Sequence, residues 1–506
     1  MPDIGPAFPS KKITREMGWG NTARITSRIC RILLVFVFLS AVAPANLVPA
    51  SGTQGNPSAA EKTQSAQKQE DSQENFKISV DVNLVSADVT VIGNRVSPLR
   101  AEDFVIFDNG VAQKVDYFSH DLLPLAVAVL VDRSGSVVPY FPMLKLAALI
   151  SLRHLRPEDQ VALFVFDTAT NKLCDLTEDR LLIAKKINEI KRGGGTNIYA
   201  AIGDTVRYLR KNAPDRRRAI ILVSDNCQES AWGNNPTKAR TEMLEASTTL
   251  YSVRTPGINY ARCSDPNAKI KDLAADTGGE LLDVDASTSL QAALKRAISN
   301  LRFQYTLGFN PSDPGESGSF HKLRVKLATE DRCPGCRLLA RSGYYSGIAA
   351  NLQPQNGIKP VKPDSARKTD QDLIRRIILT AGTTELDLPD IPFTVETAER
   401  KDANGRRQIQ LDFQIDPVEI GFNMVKDQRS CTLDIAIFSA DKKGKILDIG
   451  WKRLEGLLSE DSYNRITGKG ISFSIALPIK TQIRMLRIVI FDEEGNNIGG
   501  KLVNLP

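Results

Sequence analysis

The chain has 506 residues, 42% hydrophobic and 25% charged, enough to bury the cores of about three domains. Ordinary glycine and proline contents, with 6% aromatic residues, exclude a collagen-like or wholly disordered chain. The formal charge is +7, but Lys11, Lys12, Arg15, Arg24, Arg28 and Arg31 against Asp3 and Glu16 place +4 of it before residue 32, so no nucleic-acid partner is expected of the remainder.

After the basic stretch, Ile32 to Ala43 form an uncharged apolar run of 12 residues, short of the roughly 20 that span a bilayer. With small residues at Ala41, Ala43, Ala45 and Ala50, residues 1–50 read as a secretory signal peptide, Met17 being an alternative start. A retained N-terminal anchor is the other reading, and would be the only membrane contact. Cys30 precedes the apolar core, which speaks against a lipoprotein site. Residues 51–75 contain no Val, Ile, Leu, Met or aromatic residue, so they cannot offset their ordering entropy and read as a disordered linker.

Residues 76–120 predict β structure. Ile78, Val80, Val82 and Leu84 alternate with polar residues, then the phase moves to Val85, Ala87, Val89 and Val91, which suggests a bulge. A hairpin is predicted around Asp108-Asn109-Gly110. From Leu125 strands alternate with helices over 121–301: the continuous apolar "LAVAVLV" and "VALFVF" suit central parallel strands covered on both faces. The expected fold class is α/β, a doubly wound Rossmann-like domain. β character returns over 302–345, expected to share a sheet or sandwich with 76–120, because about three strands on each side are marginal alone. Residues 346–375 are Pro- and Lys-rich and read as a linker. Strict alternations such as Ile409, Leu411, Phe413, Ile415 and Ile471, Phe473, Ile475, Leu477 then predict a separate C-terminal β-sandwich over 376–506.

Six cysteines follow the leader, which fits an oxidising compartment. The lone Cys333-Pro-Gly-Cys336 has no second pair for zinc and no following helix for a thioredoxin-type motif, so a small loop disulfide is expected. His120, His154 and His321 are isolated and assemble no catalytic or metal-binding group.

Three short segments fall where an open α/β sheet places ligands, at the carboxyl ends of strands. "VLVDRSGS" supplies Asp132, Ser134 and Ser136, "GGGTN" supplies Thr196 behind Gly193 to Gly195, and "ILVSDN" supplies Asp225. These side chains offer two carboxylates and three hydroxyls and no nitrogen or sulfur. Such hard donors suit Mg²⁺, or alternatively Mn²⁺ or Ca²⁺. If the hydroxyls bind directly and the carboxylates through water, the cation keeps charge for an external anionic oxygen, most naturally an Asp or Glu of a partner protein.

In these elements the sequence resembles the von Willebrand factor type A domain and its metal-ion-dependent adhesion site. Over about 76–345 it also resembles bacterial "VWFA-related" proteins of the acidobacterial type, through "FVIFDNGVAQKVDYFS" and "YTLGFNPSD" with "ARSGYY". The resemblance implies direct metal contact from Ser134, Ser136 and Thr196, with Asp132 and Asp225 holding metal-bound waters. Val137 supplies the usual apolar residue after the last serine, while "SDN" stands where the family often has Asp-Gly. A disulfide between Cys227 and Cys263 would stiffen the metal-bearing rim.

The function expected is therefore an exported, non-enzymatic, metal-dependent binding or adhesion module, periplasmic, cell-surface or secreted. Two alternatives are a structural exported scaffold without external metal ligand, and a phosphoryl-transfer hydrolase with Asp132 as nucleophile. The second wants a carboxylate where Ser134 stands.

Overall fold

The structure, a computed structural model, describes residues 84–93, 99–119, 123–228, 235–256, 268–284, 289–329, 331, 333–347, 363–384, 387–401, 405–478 and 482–505. The leader, the linker 51–75, the alternation at Ile78 to Val82, His120 and Cys263 lie outside the described residues.

The central sheet has the order Leu281–Asp283, Thr248–Arg254, Arg217–Ser224, Leu125–Asp132, Gln160–Phe166, Thr170–Thr177. Its neighbours pair in parallel except for Thr170–Thr177, which runs antiparallel at one edge. All eight residues of Leu125–Asp132 are buried, because both faces are covered. Leu125, Val127, Val129 and Val131 pack with the helices Phe141–Ser151, Arg180–Asn188 and Leu290–Arg302. Ala126, Ala128 and Leu130 pack with Ile198–Asn212, Pro236–Glu245 and Ala268–Asp276. The chain order of the strands reverses direction between Leu125–Asp132 and Arg217–Ser224. Open α/β sheets bind ligands at such a switch point.

The strands flanking this unit form two four-stranded sheets. One has the order Arg337–Ala340, Val85–Ile92, Gln304–Phe309, Tyr117–Ser119, and the other Gly343–Tyr345, Phe320–Leu327, Phe104–Asp108, Val111–Gln113. Val85, Ala87, Val89 and Leu307 of the first share one core with Phe104, Ile106 and Leu323 of the second. The hairpin turn places Asn109 at φ 46° and Gly110 at φ 91°, as a two-residue turn with both φ values positive requires.

The C-terminal region contains a sheet ordered Leu388–Pro389, Ile498–Asn504, Met485–Asp492, Gln428–Ala440, Asn423–Val425, with Ile446–Leu458 also paired to Gln428–Ala440. A three-stranded sheet of Phe393–Lys401, Arg407–Ile415 and Ile471–Pro478 faces it across the core of Leu411, Ile415, Ile435 and Ile488.

One boundary needs correction. Residues 363–382, in part expected as linker, form the helix Pro363–Gly382. Leu373, Ile374, Ile377, Ile378 and Ala381 make a helical stripe buried with Leu146 and Ile183 on one side and Phe438, Val489 and Phe491 on the other. The Pro- and Lys-rich composition just upstream hid a 3.6-residue period that starts at Leu373. The α/β unit and the C-terminal sheet therefore share a core through this helix. Polar ties reinforce it: Arg153 Nε and Nη2 donate to Asp370 at 2.7 and 2.8 Å, and Gln291 and Lys295 donate to the carbonyls of Asn496 and Gly495.

Beside this junction His154 has a buried Nε2 with no partner. Burial, with the charges of Lys295, Arg153 and Arg302, lowers its pKa from 6.5 to about 4. The folded value lies below the unfolded one, so its contribution to stability is complete above pH 6.5 and is lost as pH falls through 4. For this partly exposed ring about 1–2 kcal/mol is expected between pH 6.5 and 4.5. Asp390, Asp434 and Asp492, which burial raises to about 6, act in the opposite sense. Denaturant unfolding of wild type beside His154→Gln isolates the histidine: the variant should show the shallower loss on acidification, and parallel curves would refute this assignment.

Candidate metal centre

Asp132 is the last residue of its strand and is 0% exposed. The chain then turns sharply through Ser134, Gly135 and Ser136. The Ser134 N–H donates to Asp132 Oδ1 at 2.8 Å, and the Ser224 hydroxyl donates to Oδ2 at 2.6 Å. Ser134 Oγ lies 3.2 Å from Ser136 Oγ. Asp225 Oδ1 accepts the Cys227 N–H at 3.0 Å. Asp132, Ser134 and Ser136 thus form one chain of hydrogen bonds, and Asp225 lies across the switch point, close enough for its charge to act on Asp132.

Thr196 is buried, 3% exposed. Its loop is joined to the serine turn by Gly193 N–H donating to Arg133 O at 2.7 Å and Gly135 N–H donating to Gly194 O at 3.4 Å. The helix Ile198–Asn212 begins immediately after. Its cap residue Asn197 makes no side-chain cap, and Gln228 Oε1 instead accepts the Ile198 N–H at 2.7 Å.

Burial raises the Asp132 carboxyl from 3.8 to about 7, the Ser224 hydroxyl opposing the rise and the Asp225 charge adding to it. Asp225 is also raised by burial, against hydrogen bonds from Ser136 and the Cys227 N–H. Among the described residues no Lys, Arg or His forms an ion pair with either carboxylate, nor do three His, Cys, Asp or Glu side chains converge anywhere. A buried pair of carboxylates set among hydroxyls has the chemistry of a hard-cation site, since a cation offsets the desolvation that both groups suffer.

Residues beyond the sequence pattern complete the region. Ser224 orients Asp132 and also accepts the Asn226 N–H at 3.0 Å. Asn226 has φ 60°, a left-handed conformation that glycine or asparagine tolerates, which accounts for "SDN" in place of Asp-Gly. Arg133 pairs with Asp167 at 2.8 Å. Ser224 sits next to Asp225 and could have been suspected. Gln228 and Asp167 carry no local signal, because their partners lie some thirty residues away in the chain.

Cys227 is disulfide-bonded, with its partner outside the described residues. Cys333 and Cys336 are bonded to each other across a turn, while Cys174 and Cys431 are free.

Residues 127–228, which include all five candidate positions, match the family model of the von Willebrand factor type A domain. The α/β unit is a von Willebrand factor type A domain. Among solved structures, a von Willebrand factor type A protein from Catenulispora acidiphila is 10% identical over 59% of this chain and 84% of its own, with a TM-score of 0.32. The conserved hypothetical protein BatB from Bacteroides thetaiotaomicron is 18% identical over 35% of this chain and 98% of its own, at 0.30. The PilB minor pilin from Streptococcus sanguinis is 15% identical over 38% and 64%, at 0.28. No curated protein matches the chain.

Proposed function

We propose that this chain is an exported recognition protein whose type A domain holds a divalent cation and through it binds a carboxylate of a partner protein. Type A domains are typically non-enzymatic interaction modules, which makes partner binding the starting expectation. The observation that supports the reading is the pair of buried carboxylates, Asp132 and Asp225, beside the hydrogen-bonded hydroxyls of Ser134 and Ser136 at the switch point, with the glycine loop before Thr196 tied to the serine turn. Ser134, Ser136 and Thr196 would hold Mg²⁺ directly, Asp132 and Asp225 through water, with Mn²⁺ or Ca²⁺ as alternatives. Bound there, the cation supplies Lewis acidity toward an anionic oxygen from outside. Asp132 fixes the serine turn by accepting the Ser134 N–H, and Ser224 fixes Asp132.

The hydrolase alternative fits poorly. Asp132 is fully buried and both its oxygens accept hydrogen bonds, whereas a nucleophile needs a free oxygen at the surface of the cleft. Export rests on the basic, apolar and small-residue pattern of the leader, and the mass of the mature N-terminus would test it.

Calorimetric titration of Mg²⁺ and Mn²⁺ into the wild-type chain should give saturable heats that Asp132→Ala abolishes. Equal heats from both proteins would sink the proposal.

A further inference from the structure

We infer that Asp167, paired with Arg133, is the positioning residue that holds the hydroxyls of the metal centre in register. The inference rests on the metal-centre reading above and concerns how that centre is built. The hydroxyls come from two segments far apart in sequence, the turn Ser134–Ser136 and the loop ending in Thr196. A cation that takes oxygens from both demands that their separation be fixed to a fraction of an ångström.

Asp167 follows the end of the neighbouring strand Gln160–Phe166 and touches both segments. Its Oδ2 accepts from Arg133 Nη2 at 2.8 Å and from the Gly194 N–H at 3.4 Å. Its Oδ1 accepts the Ala169 N–H at 3.1 Å, which anchors the carboxylate to its own turn. Its main-chain carbonyl accepts the Asn197 N–H at 2.9 Å, directly after Thr196. Arg133, one residue from Asp132 and one from Ser134, donates its N–H to Phe166 O at 3.0 Å and accepts the Gly193 N–H at 2.7 Å. Side chain and backbone of two residues thereby tie two strand ends and the glycine loop before Ile198–Asn212 together.

Gly193 is part of the device. A Cβ there would stand 2.3 Å from Asp167 Oδ2 and 2.9 Å from Arg133 Cγ and Nε, so any side chain would push the pair away. Gly194 carries no such restriction, its nearest neighbour being Thr168 Cγ2 at 4.0 Å. The pair is itself sheltered, with side-chain exposures of 11% for Asp167 and 24% for Arg133. Arg133 occupies Oδ2, so Asp167 acts on the loops rather than as a further acidic ligand.

The test compares the wild-type chain with Asp167→Asn, Arg133→Gln, the double variant and Arg133→Lys, measuring Mg²⁺ affinity by calorimetry and melting temperature with and without Mg²⁺. Each disrupting single variant should weaken Mg²⁺ binding about tenfold while the metal-free melting temperature moves by only a few degrees. The double variant should bind no more than about twofold more weakly than the worse single, because both changes break one device. Arg133→Lys should recover part of the affinity. Unchanged affinity in Asp167→Asn beside a wild type that binds Mg²⁺ overturns the inference alone, as does a double variant whose losses multiply. A lowered metal-free melting temperature with affinity intact makes the pair a strut of the fold only, and also overturns it. A wild type that takes up no Mg²⁺ overturns the metal-centre reading, and this inference with it.

Discussion

Without divalent metal at pH 8, Asp132→Asn should melt at a higher temperature than wild type; with saturating Mg²⁺ the order should reverse. Asp132 is fully buried, and burial together with the nearby Asp225 raises its carboxyl to about 7. Above that pH the metal-free protein keeps an ionised carboxylate in a place that favours the neutral form. The sign follows from linkage: the folded pKa is above the unfolded value, so stability falls as pH rises from about 4 to 7 and the cost is complete above 7. At about 1.36 kcal/mol per pKa unit the cost reaches at most about 4 kcal/mol. Asparagine has the same shape and no charge. Its carbonyl can still accept the Ser134 N–H, and the Ser224 hydroxyl can rotate to accept its amide. Magnesium should raise the wild-type melting temperature and leave the variant unmoved. Scanning calorimetry at pH 8, with chelator and with Mg²⁺, is the measurement. A metal-free variant clearly less stable than wild type would show that the ionised carboxylate is better compensated than its surroundings suggest.

The second large effect lies far from the metal centre. Ile377, on the helix Pro363–Gly382, is 0% exposed in a core shared by the type A domain and the C-terminal sheet. Ile377→Ala should cost about 2–5 kcal/mol, as large-to-small changes in cores do. Ile377→Asp buries an unpaired charge between the two layers, which the fold can relieve by parting them. The wild type is expected to melt in one calorimetric transition, and Ile377→Asp in two. Two transitions already present in the wild type would mean that the shared core does not couple the units.

Much of this architecture is visible in residue order. The unbroken apolar run Leu125–Val131 could only be a strand covered on both faces, and the structure shows its odd and even residues feeding two separate cores. The Asp132, Ser134 and Ser136 spacing was legible because a single turn brings all three together, with Ser134 donating back to Asp132. Thr196 and Asp225 were legible because each directly adjoins a recognisable element, a glycine run and a strand end. The helix at 363–382 was not, since its apolar stripe begins only after ten residues of linker-like composition. Asp167 was invisible for a different reason: an acidic residue after a strand is common, and only its contacts with Arg133 and Gly194 distinguish it.

The sequence by itself determined the class of the central sheet and the all-oxygen donors of the candidate site, because apolar periodicity and side-chain chemistry are local properties. Only the tertiary structure decided that the strands Leu125–Asp132 and Arg217–Ser224 meet at the switch point, that Ser224, Gln228 and Asp167 hydrogen-bond to Asp132, the Ile198 N–H and the Gly194 N–H, and that the C-terminal sheet shares a core with the type A domain. Those outcomes depend on which distant residues come within a few ångströms of one another. Chain closure and packing set that proximity, and no short stretch of residues encodes it.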